Sequence, residues 1–239
     1  TPSAGGKIKL PAPKNIPNGK KKIAVIEEFI TEGVDPGVRN VVENAIRVYE
    51  KSGYVIEKIS LPMIKYALAI YYVVIPAEIS SNLSRYDGIR YGNRAEGLMG
   101  LEEVYAKTRS NGFMPENKRR IMIGNYVLSS GYFDAYYQKA QKARTLLIKE
   151  FTKALDNYDA LIGPVAPTPA FKIGSKSSDP LTMYLEDIMT VPASLAGLPA
   201  ISVPAGSSEG MPVGLQLIGK QKDDANILSL ARILEETEQ

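Results

Sequence analysis

Tyr158-Asp-Ala-Leu-Ile-Gly-Pro-Val-Ala-Pro-Thr-Pro169 opens the stretch that decides the fold. It continues through Met183-Tyr-Leu-Glu-Asp187 and a helix-compatible run to Leu198, then Pro199-Ala-Ile-Ser-Val-Pro204 and Pro212-Val-Gly-Leu-Gln-Leu-Ile-Gly219. Three short apolar runs bounded by glycine and proline, with a helix between the first two, have the form of buried strands in a sheet that carries helices on its faces. Such a sheet is a core, and the rest of the chain has to cover it.

Toward the amino terminus, Lys22 to Glu27 reads as a short strand, and Asp35-Pro36 supplies an N-cap followed by proline at the first helical position. Val38, Val41, Val42, Ala45, Ile46 and Tyr49 then share one helical face, and Gly53 closes the helix. Tyr54 to Ile59 forms a second strand, and a strand-helix-strand order favours a parallel pair. Met63 to Tyr86 is helix-compatible and mostly apolar, with Pro76 expected to kink or break it. Asp87 to Arg94 is a loop, Leu101 to Thr108 a short helix, Asn111-Gly112 a turn, and Pro115 starts a helix reaching about Leu128. Ser129-Ser-Gly131 interrupts it. Tyr132 to Leu155 continues as a long helix with Tyr136, Ala140, Ala143, Leu147, Phe151 and Leu155 near one side, and a last helix runs from Asp223, its N-cap, to Glu235. The proline-, glycine- and lysine-rich residues 1–21 read as an extended linker or tail, leaving 22–239 as part of one domain. The expected fold class is α/β, a mixed twisted sheet with helices on both faces.

Composition closes off several chemistries. The 239 residues are 44% hydrophobic and 23% charged, enough for one sizeable core. The 29 Lys and Arg against 26 Asp and Glu leave a net charge of +3, too small to mark a nucleic-acid surface by itself, so any nucleic-acid contact has to be local or made by a partner. Without cysteine there are no disulfides or thiolate metal sites, and without histidine no imidazole ligand and no Ser-His-Asp triad. No uninterrupted apolar run approaches the ~20 residues of a membrane helix and the amino terminus lacks an apolar signal core, so the expectation is a cytoplasmic protein.

Two motif matches fail on context. Gly206-Ser-Ser-Glu-Gly210 fits a nucleophile elbow in spacing, but Met211-Pro212 and a further strand follow it where a helix is needed. Gly214-Leu-Gln-Leu-Ile-Gly-Lys220 fits a phosphate-binding loop, but its interior is strand-like and Gln221 stands where Ser or Thr is required. Ser129-Ser130 has no lysine three residues on and reads as a helix break. Tyr132 to Tyr137 is taken as an interior or subunit-contact helix face. Arg119-Arg120 and Asp187 are opposite charges beside apolar and small residues. They read either as a structural ion pair or solvated charges, or as the two ends of an amino-acid clamp, a guanidinium fork on an α-carboxylate and a carboxylate on an α-ammonium.

Gly163-Pro-Val-Ala-Pro-Thr-Pro169, Met183-Tyr-Leu-Glu-Asp187, Thr190-Val-Pro-Ala-Ser-Leu-Ala-Gly-Leu-Pro199, Ile201-Ser-Val-Pro204 and Pro212 to Lys220 resemble the carboxy-terminal half of the amidase signature family, with the likeness running from about Lys22 to Leu234. Within the family it is strongest to the tRNA-dependent amidotransferase branch. The resemblance implies an amidase-signature α/β/α sandwich, and it implies that Arg120 and Asp187 grip glutamine by its two ends with Tyr71 beside it. It further implies two partners, the B and C subunits, with ATP and Mg²⁺ used by the partner and no cofactor in this chain. The family's chemistry is amide hydrolysis by a Ser-cis-Ser-Lys triad on a Gly/Ser-rich signature, and this sequence contains no such signature. The expectation is therefore a substrate-clamping portion, inactive alone, of a glutaminase subunit supplying ammonia to amidate Glu-tRNA(Gln) or Asp-tRNA(Asn), with the missing amino-terminal amidase half as a partner. A fragment, one chain of a split enzyme and a binding remnant all fit that absence. Another amidase-signature hydrolase and a non-catalytic scaffold are the alternative functions.

Overall fold

In β1, Lys22–Ile26, every residue after the first is buried, and the chain then crosses to α1, Pro36–Lys51, and returns as β2, Val55–Ile59. The computed structural model describes residues 21–173 and 186–236. Most of the expected linker at 1–21, and Met183 to Leu185 of the helix-compatible run, lie outside the described residues. β1 and β2 pair in parallel from Lys22 against Val55 to Ile26 against Ile59, as the strand-helix-strand order predicts. The Asp35 carboxylate starts α1 by accepting from the Gly37 and Val38 amides at 2.8 and 3.1 Å. Gly53, at φ +87°, ends it in the left-handed region.

The run from Tyr158 to Gly219 forms three strands: β3, Ala160–Pro164, β4, Ala200–Ser208, and β5, Met211–Ile218. They complete an open five-stranded mixed sheet in the order β2-β1-β3-β5-β4. β3 lies parallel to β1 and antiparallel to β5, and β4 and β5 form an antiparallel hairpin. That hairpin turns at Glu209 and Gly210, both with positive φ, the geometry two-residue hairpin turns require. The G-x-S-x-G match is thus a strand end and its turn. The hairpin explains the spacing without any nucleophile.

Helices lie on both faces of the sheet. On one, α1 packs with α7, Asp224–Glu235, where the buried Tyr49 hydroxyl donates to the Leu230 carbonyl at 3.1 Å and a side chain on Gly219 would strike Ile227. Burial, with Tyr54 alongside, pushes the Tyr49 phenol well above its ordinary pKa. On the other face, Gly163 admits Phe29, Gly214 admits Val165, and the buried Gln216 amide donates to the Met189 carbonyl just before the short α6, Val191–Ala196. Asp223 stands at the N-cap position of α7, but its side chain makes no capping hydrogen bond.

The chain divides into two compact units. The sheet unit is built from the chain up to Leu68 and again from Leu146; Ala69 to Thr145 forms a helical unit. The helical unit contains nearly all of α2, Ala67–Leu83, then α3, Leu101–Gly112, α4, Pro115–Leu128, and the start of α5, Lys139–Leu155. α2 runs through Pro76 without the expected break. Gly124 of α4 lies against the Pro76 carbonyl and Ser80, so close helix packing there offsets what the proline costs. Asn111 and Gly112 belong to the last turn of α3, and the chain straightens only at Phe113. Pro62 to Leu83 is helical, long and apolar enough by length and composition to cross a membrane, although Ile70, Val74 and Ala77 along it are buried within the protein. Phe133–Gln138 forms a π-helical turn ahead of α5, and its aromatic side chains are largely exposed, which rules out the interior reading of this segment.

Candidate functional site

Asp187 sits in a turn, residues 186–190, that feeds α6. Its backbone is pinned: the Asp187 carbonyl accepts from the Thr190 and Val191 amides, each at 3.1 Å, and from the Thr190 hydroxyl at 3.2 Å. The Gln216–Met189 bond ties the same turn to the sheet. The Asp187 carboxylate itself is exposed and, among the described residues, accepts no hydrogen bond and joins no ion pair. It borders a cavity of about 380 Å³ whose wall includes Thr168, Phe171, Glu186, Ser202 and Gly214. Thr168 donates to Glu186 at 3.0 Å across it, joining the segment after β3 to the Asp187 turn. A rigid turn that presents an unengaged carboxylate to a cavity can hold an ammonium group.

Arg120 belongs to the helical unit, on α4. Its Nε donates to Glu116 Oε1 at 3.1 Å, one helical turn back, while Arg119 Nη1 donates to Glu116 Oε2 at 2.6 Å. Arg120 is the better covered of the two arginines, its side chain 28% exposed against 49% for Arg119. Tyr71 and Tyr72 of α2 form an edge-to-face pair, ring centres 5.2 Å apart, beside the Arg120 guanidinium. Burial lowers the Arg120 pKa, but the Glu116 hydrogen bond and the two neighbouring phenols outweigh it and raise the value, so the charge is secure. Among the described residues, Nη1 and Nη2 of Arg120 carry no hydrogen bond. That leaves the end of the fork available to an anion.

The structure thus brings Tyr71 and Arg120 together, and it sets Asp187 on the cavity of the sheet unit. Sequence reasoning missed Glu116, whose i, i+3 and i, i+4 spacing to the two arginines was the available signal. It also missed the Thr168–Glu186 pair, which no local pattern announces. A second cavity, about 340 Å³, lies in the helical unit beside Tyr86, Tyr91 and Phe113. Its one arginine, Arg109, is committed through Nη1 to the Leu83 and Tyr86 carbonyls at the end of α2, both at 2.9 Å. Among the described residues no group of three or more carboxylates is placed to hold a metal ion.

A family model described as Amidase matches residues 6–228. The A subunit of the glutamyl-tRNA(Gln) amidotransferase of Geobacillus kaustophilus is 55% identical over 215 residues, covering 90% of this chain and 44% of the relative. That of Lactiplantibacillus plantarum is 50% identical over 218 residues, covering 91% and 45%. Among solved structures, the same subunit from Thermotoga maritima superposes with a TM-score of 0.69 at 41% identity, over 91% of this chain and 42% of that one. A crystal structure of an amidase, at 24% identity and a TM-score of 0.70 over 91% and 46%, shares the fold. This chain spans less than half the length of the relatives it matches.

Proposed function

The chain belongs to the amidase family, and on that premise we propose that it is the substrate-clamping portion of the glutaminase subunit of a tRNA-dependent amidotransferase. Arg120 grips the α-carboxylate of glutamine, Asp187 its α-ammonium, and Tyr71 lines the space beside the arginine. The observation that carries this reading is the pair of opposite charges with unused bonding capacity: among the described residues, the Asp187 carboxylate has no partner and the Nη end of Arg120 has no hydrogen bond. The 55% identity to the A subunit of the glutamyl-tRNA(Gln) amidotransferase supports this reading, in which glutamine is hydrolysed and the ammonia amidates a tRNA-bound acid.

In this reading the Ser-cis-Ser-Lys triad lies outside these residues, so the stretch alone releases no ammonia from glutamine. The B and C subunits complete the complex, tRNA is met only indirectly, and ATP and Mg²⁺ serve the partner's half of the reaction. The test is glutaminase kinetics on the full-length protein in its complex. Arg120→Ala and Asp187→Ala should each weaken glutamine by about 2–5 kcal/mol, read as a rise in KM, because each strands one charge of the bound amino acid. An unchanged KM in both variants would overturn the clamp.

A further inference from the structure

We propose that Glu116 is a positioning residue for substrate recognition: it holds Arg120 by Nε so that the Nη1–Nη2 end of the fork is presented, already oriented, to the carboxylate of an amino-acid amide. The inference rests on the clamp reading above and adds to it a residue that touches no substrate.

The geometry separates a tether from a competitor. A carboxylate occupying the binding end of a guanidinium would take both Nη groups in a two-bond fork. Glu116 instead takes the Nε–H through one oxygen, at 3.1 Å, and gives its other oxygen to Arg119, at 2.6 Å. All three residues lie on one helix within a turn of one another, so Glu116 is supplied by the backbone of α4 and not by a distant loop. Its place in the first turn also suits a negative charge against the helix dipole. The Tyr71–Tyr72 pair of α2 lies near the arginine. Tethered through Nε, the side chain has less rotamer freedom left to lose when a carboxylate binds. An untethered arginine would lose it at that moment.

The test uses the full-length protein in its complex, with L-glutamine and with glutamine whose α-carboxylate is blocked as the methyl ester, the ester read as substrate or as competing inhibitor. Glu116→Ala is expected to raise KM for L-glutamine about tenfold with kcat unchanged within about twofold, as loss of pre-orientation predicts. It should leave the ester constant unchanged. Glu116→Gln retains an acceptor oxygen for Nε–H and is expected to restore most of the affinity, which also keeps the test open if the alanine variant folds poorly. Equal loss on both substrates, or equal loss in the alanine and glutamine variants, overturns the tether. If Arg120→Ala raises KM for L-glutamine and Glu116→Ala does not, the clamp stands and Glu116 has no part in it. If Arg120→Ala has no effect, the clamp reading fails and takes this inference with it.

Discussion

In the sheet unit, every residue of β3 is buried, and Phe151, Leu147, Leu215, Leu217 and Ile218 have essentially no exposed surface. In the helical unit, Met99, Met114, Met122, Tyr126, Tyr132 and Tyr136 stand in the open, Met99 at 99% and Met122 at 71% exposure. Both units are rich in apolar residues, so hydrophobicity alone does not separate them. Alternation and strand pairing let the sheet bury its apolar side chains against α1, α6 and α7. Short helices joined by loops bury only one narrow stripe each: Val104 and Thr108 on α3, Gly124 and Val127 on α4. This difference bears on where binding chemistry can sit. Asp187 is anchored to a dense core by its turn and Gln216, whereas Arg120 depends on side chains, Glu116 and the tyrosine pair, to hold its position. The unit with fewer buried contacts is also the one expected to open locally at lower free energy.

The largest expected effect tests that contrast directly. Phe151→Ala should cost about 3–5 kcal/mol of stability, since the side chain is fully buried and its removal leaves a cavity. Met122→Ala should stay within about 0.5 kcal/mol, as is usual for an exposed position. Urea unfolding of the two variants decides it: comparable losses would mean that the exposed apolar surface of the helical unit is covered in solution.

A smaller effect sharpens the comparison inside the helical unit. Gly124→Ala should destabilise by about 1–3 kcal/mol even though alanine is the better helix former by about 1 kcal/mol, because the new methyl group meets the Pro76 carbonyl and Ser80. Gly112, with open space around it on α3, supplies the control: its change to alanine should be neutral or stabilising by up to about 1 kcal/mol. Equal responses at the two glycines would remove the α2–α4 contact as a tightly packed point of this unit.

The same division governs what could be read in advance. The sheet was legible because its signals are local and redundant: glycine and proline end Ala160–Pro164, Asp35-Pro36 starts α1, and the predicted face Val38, Val41, Val42, Ala45 and Tyr49 is buried, with Ile46 of the same face only partly so. The amidase resemblance rests largely on the same stretch, and the match to residues 6–228 bears it out. Pro76 misled because a contact 48 residues further along the chain, at Gly124, decides whether the helix continues, and Asn111-Gly112 because turn-forming residues also fit the last turn of a helix. The Tyr132–Tyr137 segment carries the composition of a core helix, and only the break at Ser129 to Gly131 and the π-helical turn after it set its rings outward. Of the site, Arg120 and Asp187 were nameable as charges among small and apolar residues. The Thr168–Glu186 bond was not, since it joins residues 18 positions apart in the chain.

The smallest effect concerns the loop that leads from β2 toward α2, at the foot of the sheet unit. Glu150 of α5 accepts from the Met63 amide at 3.0 Å, and Glu28 accepts from the Leu61 amide and the Ser60 hydroxyl next to it. Burial raises the Glu150 pKa, and the nearby Glu28 charge raises it further against the lowering influence of the Met63 hydrogen bond. A carboxyl whose folded pKa lies above its unfolded value binds its proton first in the native state. Its contribution to stability is fully present below the unfolded pKa and is lost as pH rises through the folded pKa. Glu150→Gln keeps an acceptor for Met63 and removes the titration. The melting temperature of the variant relative to the parent should therefore climb as pH rises from about 4 to about 7, the range above the ordinary glutamate value. A difference that stays constant over that range would show that Glu150 is as well solvated as a surface glutamate. The sheet unit would then have a softer edge at residues 60–63 than its packing implies.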